Sequence, residues 1–147
     1  MKWAWAACAG GALLAAAGAP PPAAAVHAPT QAVLRVTGYC SCGICCGWRR
    51  SWFGFGPPVY AQGPLKGKRK RVGVTARGTR AKKGTVAADL KMLPFGTRLD
   101  VPGYGAGVVE DTGGAVTGAH IDVWFPTHEA AKRWGVRTLT VDILETR

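Results

Sequence analysis

The chain has 147 residues, 48% of them hydrophobic, which suits a single packed domain and argues against a disordered chain or a string of domains. Its 19 Lys and Arg outnumber its 8 Asp and Glu, giving a net charge of +11 and favouring a polyanionic partner. No acidic residue precedes Asp89, so the positive charge is concentrated in the first part of the chain.

Residues 1–25 have the pattern of a secretory signal peptide. An apolar run of small residues extends from Trp3 to Ala19, and Ala23–Ala25 offers an A-x-A cleavage site. The run contains glycine and stops before three prolines, so it is shorter than the ~20 residues of a membrane-spanning helix. We therefore expect an exported protein of the periplasm, outer membrane or cell wall.

Export narrows the choice of polyanion. An exported chain meets anionic envelope polymers before it meets nucleic acid, so we expect the former as partners and no nucleic acid. The basic run Lys68–Arg71 has an equally good interpretation as a solvated loop.

The signal is followed by a predicted tether at residues 26–34 and a predicted domain at 35–147. Ala32–Tyr39 has the β-branched and aromatic content of a strand. Residues 47–73 mix aromatics with Gly, Pro and Arg without any period, which predicts a basic and aromatic loop or insertion. We expect its aromatic side chains to pack on the domain rather than stack on sugars. They are Trp48, Trp52, Phe53 and Phe55.

Short apolar runs alternate with turn residues from Val72 onward, a pattern typical of a small barrel or sandwich. One helix is predicted at Thr127–Trp134, with Thr127 as N-cap, Glu129 in the first turn and Gly135 ending it. The runs predicted as strands are 84–88, 97–101, 107–110, 120–125 and 138–144.

Four cysteines form a dense C-x-C-x-x-C-C cluster, at Cys40, Cys42, Cys45 and Cys46. Export favours disulfides, for which four cysteines allow three pairings, and the adjacent Cys45 and Cys46 are not expected to pair with each other. Zinc ranks second, because its ligands usually come from two separated turns, and a catalytic thiol ranks third. Neither His128 nor the other two histidines has a metal-ligand spacing with the cluster, and we predict no metal.

Asp122 lies in an apolar run predicted as a strand. Strand alternation places it on one face with His120 and Trp124, opposite the aliphatic residues. A carboxyl group beside apolar surface tends to have a raised pKa, as a general acid requires. From this strand alone, an exposed aspartate is the simpler interpretation.

Two further acids lie at strand ends. Asp111 precedes the glycine pair Gly113 and Gly114, which allows a tight turn and close backbone approach, and Asp89 follows another apolar run. Each also fits turn chemistry, in which an Asp side chain accepts hydrogen bonds from nearby backbone N–H groups. Convergence of the three acids in one cleft would split their pKa values, but periodicity does not establish it.

Several longer motifs occur in order between about Val36 and Phe125: GYC and CCG, then GVTARGTRAKKGTVAAD, LPFGTRLDVPGYG and VVEDTGGAVTGAHIDVWF. This series resembles the 3D domain family, named for three aspartates. It is also similar to the catalytic barrels of lytic transglycosylases of type A and of stationary-phase peptidoglycan-cleaving proteins. By this resemblance the three aspartates are Asp89, Asp111 and Asp122.

The resemblance implies a mainly β fold, a six-stranded double-psi β-barrel with one or two short helices. It also implies cleavage, without a cofactor, of the β-1,4 bond between N-acetylmuramic acid and N-acetylglucosamine in peptidoglycan glycan strands. The catalytic residue would be Asp122, eleven positions after the acid of the D-x-G-G-A turn, with Asp111 and Asp89 shaping the site. Ordinary glycosidases use two carboxylates, whereas attack by the sugar's own 6-hydroxyl gives a 1,6-anhydro product with one.

A non-catalytic, expansin-like wall-binding module is the alternative, because a basic, tryptophan-rich surface binds anionic polymers without cleaving them. We expect a monomer in either case. Lys82 lies in the motif before Asp89 and is as readily a surface residue as a substrate contact. The residues expected to bind substrate are Thr75, Thr85, Lys82, Gly113 and Gly114.

Overall fold

The computed structural model describes residues 30–145, so the predicted signal peptide lies outside the described residues. Within this range the chain forms eight strands and two α-helices. In chain order they are β1 (Thr30–Tyr39), α1 (Gly43–Cys46), β2 (Trp48–Arg50), β3 (Pro58–Tyr60), β4 (Thr85–Ala88), β5 (Arg98–Val101), β6 (Gly105–Asp111), β7 (His120–Trp124), α2 (His128–Trp134) and β8 (Val136–Glu145).

Six strands close into a barrel in the order β1-β7-β4-β6-β5-β8. Two neighbouring pairs, β1 with β7 and β4 with β6, are parallel, and the other pairings are antiparallel. The mainly β fold, the six-stranded closed barrel and the short helices predicted from the sequence are confirmed. Each apolar run predicted as a strand between residues 84 and 144 contributes to one barrel strand.

The barrel interior is filled by aliphatic side chains that alternate along the strands. On β7, Ile121 and Val123 are fully buried while Asp122 between them is only half-buried, as the alternation predicts. Burying each such side chain contributes roughly 1.5–3 kcal/mol. The other fully buried aliphatic residues are Leu34, Val36, Val86, Leu99, Val101, Val109 and Val141.

β1 begins at Thr30 and pairs with β8 along its length, so the last residues of the predicted tether are part of the barrel. A tether was the wrong prediction for 30–34 because this stretch gains its partner strand from the far end of the chain. None of the helices in the described range has the length and apolar character needed to cross a membrane.

The segment 47–73 is not simply a loop, since β2 and β3 form a two-stranded antiparallel hairpin outside the barrel. The prediction that its aromatic residues pack on the domain is wrong for three of the four. Trp52, Phe53 and Phe55 lie near the end of this hairpin, with 82%, 103% and 92% of their surfaces exposed. Trp48 is half-buried and donates a hydrogen bond from Nε1 to the carbonyl oxygen of Ser41 at 3.0 Å.

Helix α2 begins and ends as the sequence predicts. The Thr127 side chain accepts a hydrogen bond from the backbone N–H of Ala130, and Gly135 ends the helix with a positive φ of 68°. The helix packs against β1 where Gly38 has no side chain. A Cβ atom there would lie 3.0 Å from the Ala131 carbonyl oxygen, so glycine permits the close approach.

Candidate functional site

Four neighbouring barrel strands carry a row of residues that define the candidate site. Thr37 on β1 is paired with Asp122 on β7, Asp122 with Ala87 on β4, and Ala87 with Asp111 on β6. Adjacent strands are about 4.8 Å apart, so β7 and β6 stand about 10 Å apart with the small Ala87 side chain between them. A cleft of about 540 Å³ opens over this row, lined in part by Tyr39, Ala87, Asp111 and Asp122.

Asp122 is half-buried in the cleft. Burial raises the pKa of its carboxyl group above the usual value, and the negative charge of Asp111 adds to the rise. A hydrogen bond from Thr37 Oγ1 to Asp122 Oδ1, 3.0 Å long, and the charge of His120 oppose it. The net effect favours the protonated form, which is the form that a general acid requires.

A chain of hydrogen bonds extends from Asp122 to His120. Thr37 Oγ1 lies 2.8 Å from His120 Nε2, and His120 Nδ1 lies 3.2 Å from the carbonyl oxygen of Ala115. The carbonyl only accepts, so Nδ1 carries a proton. With a protonated Asp122, the carboxyl donates to Thr37 and Thr37 donates to Nε2. With an ionised Asp122, Thr37 donates to the carboxylate.

Asp111 has a different environment, because both of its oxygens already accept hydrogen bonds. Oδ2 accepts from the hydroxyl of Tyr39 at 2.9 Å, and Oδ1 accepts from the backbone N–H groups of Ala76 and Thr112, each at 2.9 Å. Burial, with the adjacent charge of Asp111, raises the pKa of Tyr39, so the phenol remains a donor. Asp111 therefore acts as a fixed anion that joins β6 to β1 and to the loop containing Ala76.

Asp89 is not among the residues that line the cleft. Its Oδ2 accepts a hydrogen bond from Gly118 N–H at 2.9 Å and its Oδ1 accepts from Lys91 N–H at 3.0 Å. These bonds, from Gly118 first, lower the pKa of the carboxyl group. Asp89 thus holds the loop between β6 and β7, and that loop forms one wall of the cleft.

Of the residues expected to bind substrate, Gly113 and Gly114 line the cleft. The structure corrects the expectation for Thr75 and Thr85, whose side chains are buried and hydrogen-bonded inside the fold. Thr75 Oγ1 contacts Thr79 Oγ1 at 2.8 Å, and Thr85 Oγ1 donates to Glu110 Oε2 at 3.3 Å. Lys82 is exposed and is not one of the cleft residues, which agrees with its interpretation as a surface residue.

The sequence did not predict three side chains that reach the cleft or its acid. Thr37 meets Asp122 only through the parallel pairing of β1 and β7, which no local pattern reveals. Tyr60 and Lys70 come from the segment 47–73 and line the cleft, with Lys70 Nζ 4.4 Å from the centroid of the Tyr60 ring. The basic run Lys68–Arg71 is the sequence feature that could have indicated Lys70 as a cleft residue, although the other members of the run are exposed.

The cysteine cluster lies beside the cleft. All four cysteines are free thiols, so the structure contains no disulfide among the described residues. Burial raises the pKa of Cys46 to about 11. Burial also raises the pKa of Cys42, but the hydrogen bonds it accepts, first from Cys45 N–H, lower it overall to about 7.

The prediction that no histidine joins this cluster is wrong. His128 Nδ1 lies 3.3 Å from Cys45 Sγ and 3.6 Å from Cys42 Sγ. The physical reason is tertiary, because α2 packs against β1 and carries its first residue to the end of that strand, 83 positions from Cys45 in sequence.

Part of this chain is similar to a known protein family. The model of the 3D domain family matches residues 84–145. All three aspartates predicted from the resemblance lie inside the residues matched by this family model, whereas the cysteine cluster precedes them.

Two proteins of Bacillus subtilis (strain 168) are similar to this chain. The cell wall-binding protein YocH is 41% identical over 76 residues, covering 49% of this chain and 26% of YocH. The putative cell wall shaping protein YabE is 40% identical over 76 residues, covering 49% of this chain and 19% of YabE. The chain therefore matches about a quarter or less of the length of these relatives.

Among solved structures, the Escherichia coli lytic transglycosylase MltA with bound chitohexaose is 25% identical, with a TM-score of 0.43. The match covers 50% of this chain and 28% of that one. Another structure of MltA from E. coli gives 26% identity over the same shares, also with a TM-score of 0.43.

Proposed function

We propose that this chain is an exported cell-wall protein that cleaves the β-1,4 bond between N-acetylmuramic acid and N-acetylglucosamine in peptidoglycan. The match of residues 84–145 to the 3D domain family and the names of the similar proteins, which refer to cell wall binding and cell wall shaping, support an action on the wall. The open cleft with a half-buried carboxyl group supports cleavage.

The observation that carries the proposal is the unequal environment of the two cleft aspartates. Asp122 has a raised pKa and accepts one hydrogen bond from a side chain, so it is able to give and take a proton. Asp111 accepts three hydrogen bonds and stands two strands away, which makes it a poor nucleophile or base. One acid/base, with no second free carboxylate among the described residues that line the cleft, fits lytic transglycosylation better than ordinary hydrolysis.

In the first half of the reaction, protonated Asp122 donates its proton to the glycosidic oxygen as the bond from that oxygen to C1 of the muramic acid breaks. The leaving N-acetylglucosamine keeps the proton on its 4-hydroxyl. In the second half, the 6-hydroxyl of the same muramic acid attacks C1, and its proton passes to the Asp122 carboxylate. A 1,6-anhydro sugar forms and Asp122 returns to its starting state, with no water consumed.

Thr37 and His120 assist by positioning the carboxyl group of Asp122. The Thr37 hydroxyl lies within hydrogen-bond distance of both Asp122 Oδ1 and His120 Nε2, so it holds the carboxyl group in one orientation in the cleft. His120 and Thr37 are therefore positioning residues. Asp122 alone transfers the proton to and from substrate.

Other parts of the cleft suit a glycan with acidic groups. The fixed charge of Asp111 helps to keep the proton on Asp122, because a neighbouring anion disfavours ionisation. Lys70, which also lines the cleft, offers a cation to a carboxylate of the muramic acid or its peptide. The segment 47–73 thus takes part in substrate binding.

The test is product analysis with a matched pair of variants. Purified peptidoglycan sacculi are incubated with the wild-type chain, with Asp122→Asn and with Asp100→Asn, and released fragments are identified by mass spectrometry. We expect 1,6-anhydromuropeptides from the wild type and from Asp100→Asn, because Asp100 is exposed on β5. Asp122→Asn removes the acid/base and should lower the rate by about 10²–10⁴-fold.

Fragments with reducing ends instead of anhydro ends would reassign the chain to hydrolysis. Equal product from wild type and Asp122→Asn would exclude Asp122 as the acid/base. No product from any of the three, together with retention on sacculi, would favour the non-catalytic wall-binding module.

That second candidate has its own supporting observation in the exposed aromatic side chains of the hairpin, Trp52, Phe53 and Phe55. Exposed aromatic faces stack on sugar rings. Trp52 and Phe53 also have left-handed backbone conformations, with φ of 49° and 52°, which are costly for bulky residues and typical of functional sites.

A further inference from the structure

The cysteine cluster brings three sulfur atoms and one imidazole nitrogen to a common point. Sγ of Cys40, Cys42 and Cys45 and a ring nitrogen of His128 all lie within 4.8 Å of one another. These four atoms come from two distant parts of the chain. The cysteines lie at the end of β1 and around α1, and His128 is the first residue of α2. A site built from two distant segments is the usual form of a structural metal centre.

The distances fit a tetrahedral ion. Zinc at about 2.3 Å from sulfur and about 2.0 Å from nitrogen holds two sulfurs about 3.8 Å apart, and a sulfur and a nitrogen about 3.5 Å apart. Cys40 Sγ and Cys45 Sγ are 3.8 Å apart. His128 Nδ1 is 3.6 Å from Cys42 Sγ and 3.3 Å from Cys45 Sγ.

The backbone around the cysteines is also shaped for a metal. Cys42 and Cys45 form a C-x-x-C turn, in which the backbone N–H of Cys45 donates to Cys42 Sγ at 3.4 Å. Such N–H···S bonds orient the sulfur and stabilise its anionic form. Gly43 is required here, since a Cβ atom would lie 2.5 Å from the Trp48 carbonyl oxygen.

Cys46 is set apart from the other three. Its thiol donates to the Cys40 carbonyl oxygen at 3.1 Å, and it lines the cleft. It is absent from the group of converging ligand atoms. The converging ligands are therefore three cysteines and one histidine rather than four cysteines. The distance of 3.8 Å between Cys40 Sγ and Cys45 Sγ is longer than the ~2.05 Å of a disulfide bond.

We propose that Cys40, Cys42, Cys45 and His128 bind one zinc ion as a closed structural site. Three thiolates and one imidazole suit zinc among the common divalent ions, and four protein ligands leave no open position for catalysis. Binding releases the thiol protons to solvent and needs no oxidant. The site does not depend on the function proposed for the cleft.

The position of the site indicates which part of the structure the zinc ion would stabilise. Cys40 directly follows Tyr39, the donor to Asp111, and Ile44, Cys45 and Cys46 line the cleft. A four-residue helix is too short to be stable alone. The ion would therefore fix α1 against α2 and keep one wall of the cleft in place.

The test measures zinc in the purified chain under reducing conditions by inductively coupled plasma mass spectrometry. We expect one zinc per chain in the wild type. His128→Ala and Cys42→Ser should lower zinc affinity more than about tenfold, because even outer partners of a metal contribute that much. Cys46→Ser is the matched control, since it removes a neighbouring thiol outside the set and should keep the full zinc content.

Three further measurements keep the result clear if a variant fails to fold. Wild-type chain loaded with cobalt(II) should show the intense visible bands of a tetrahedral ion and a thiolate charge-transfer band. His128→Cys should retain zinc, because it restores a fourth ligand at the same position. Intact mass without reductant reports any disulfides.

Three outcomes would overturn the proposal. The first is reduced wild-type chain that takes up no zinc or cobalt. The second is a native mass lowered by four hydrogens without zinc, which means two disulfides. The third is loss of zinc in Cys46→Ser with retention in His128→Ala, which means that four thiolates bind the ion.

Discussion

Replacing Thr37 with valine tests the hydrogen-bonded chain behind Asp122. Valine has nearly the same shape as threonine and favours a strand, so β1 and its pairing with β7 should persist. The change removes the hydroxyl that donates to Asp122 Oδ1 at 3.0 Å and meets His120 Nε2 at 2.8 Å. The remaining charged groups that act on Asp122, namely His120 and Asp111, stay in place.

The sign and size of the effect follow from these contacts. Thr37 lowers the pKa of Asp122 by donating to the ionised carboxylate, so its loss raises that pKa further. A hydrogen bond to a charged group contributes about 1.5–3 kcal/mol, and 1.36 kcal/mol corresponds to one pH unit. Since the acid step needs protonated Asp122, the fall of the rate at high pH should move upward by about one to two pH units.

The assay is the rate of anhydromuropeptide release from sacculi as a function of pH. Thr37→Ser, which keeps the hydroxyl, should retain the wild-type profile, and melting curves check that both variants are folded. If Thr37→Val leaves the profile unchanged, or moves the fall to lower pH, the proposed effect of the Thr37 hydrogen bond on the pKa of Asp122 is refuted.

Two further predictions concern the aspartates. Burial raises the pKa of Asp122, so its carboxylate destabilises the fold above that pKa. Asp122→Asn should therefore melt at a higher temperature than wild type at neutral pH, and the difference should vanish below about pH 4, where the unfolded group is also protonated. A lower melting temperature at neutral pH would contradict this. Asp89→Asn weakens one anchor of the loop before β7, at Gly118 or Lys91, and should lower the rate on the order of fivefold without moving the pH profile. A loss as large as that of Asp122→Asn would instead make Asp89 a catalytic group.

Elements governed by local rules were predictable from the sequence. The alternation in β7 places Ile121 and Val123 in the core and leaves Asp122 on the other face, because successive side chains of a strand point in opposite directions. Helix α2 is marked at both ends by residues whose capping chemistry is local, Thr127 and Gly135. Such signals act within a few residues and need no knowledge of the fold.

Features that depend on distant pairing were not predictable. The contact of Thr37 with Asp122 requires the parallel register of β1 and β7. The approach of His128 to the cysteines requires α2 to lie on β1, which the missing side chain of Gly38 permits. A threonine in a motif looks the same whether it faces substrate or, as Thr85 does, the interior.

The region that matches the 3D domain family contains the two aspartates of the cleft but not the side chains that donate hydrogen bonds to them. Asp111 and Asp122 lie within residues 84–145, whereas their side-chain donors, Tyr39 and Thr37, lie on β1 before it. Without β1, Asp122 would lose its bonded hydroxyl and Asp111 would lose the phenol that fixes it. Because burial and neighbouring charge, not the aspartate itself, give Asp122 its raised pKa, the proposed acid/base depends on the pairing of β1 with β7 as much as on the matched domain.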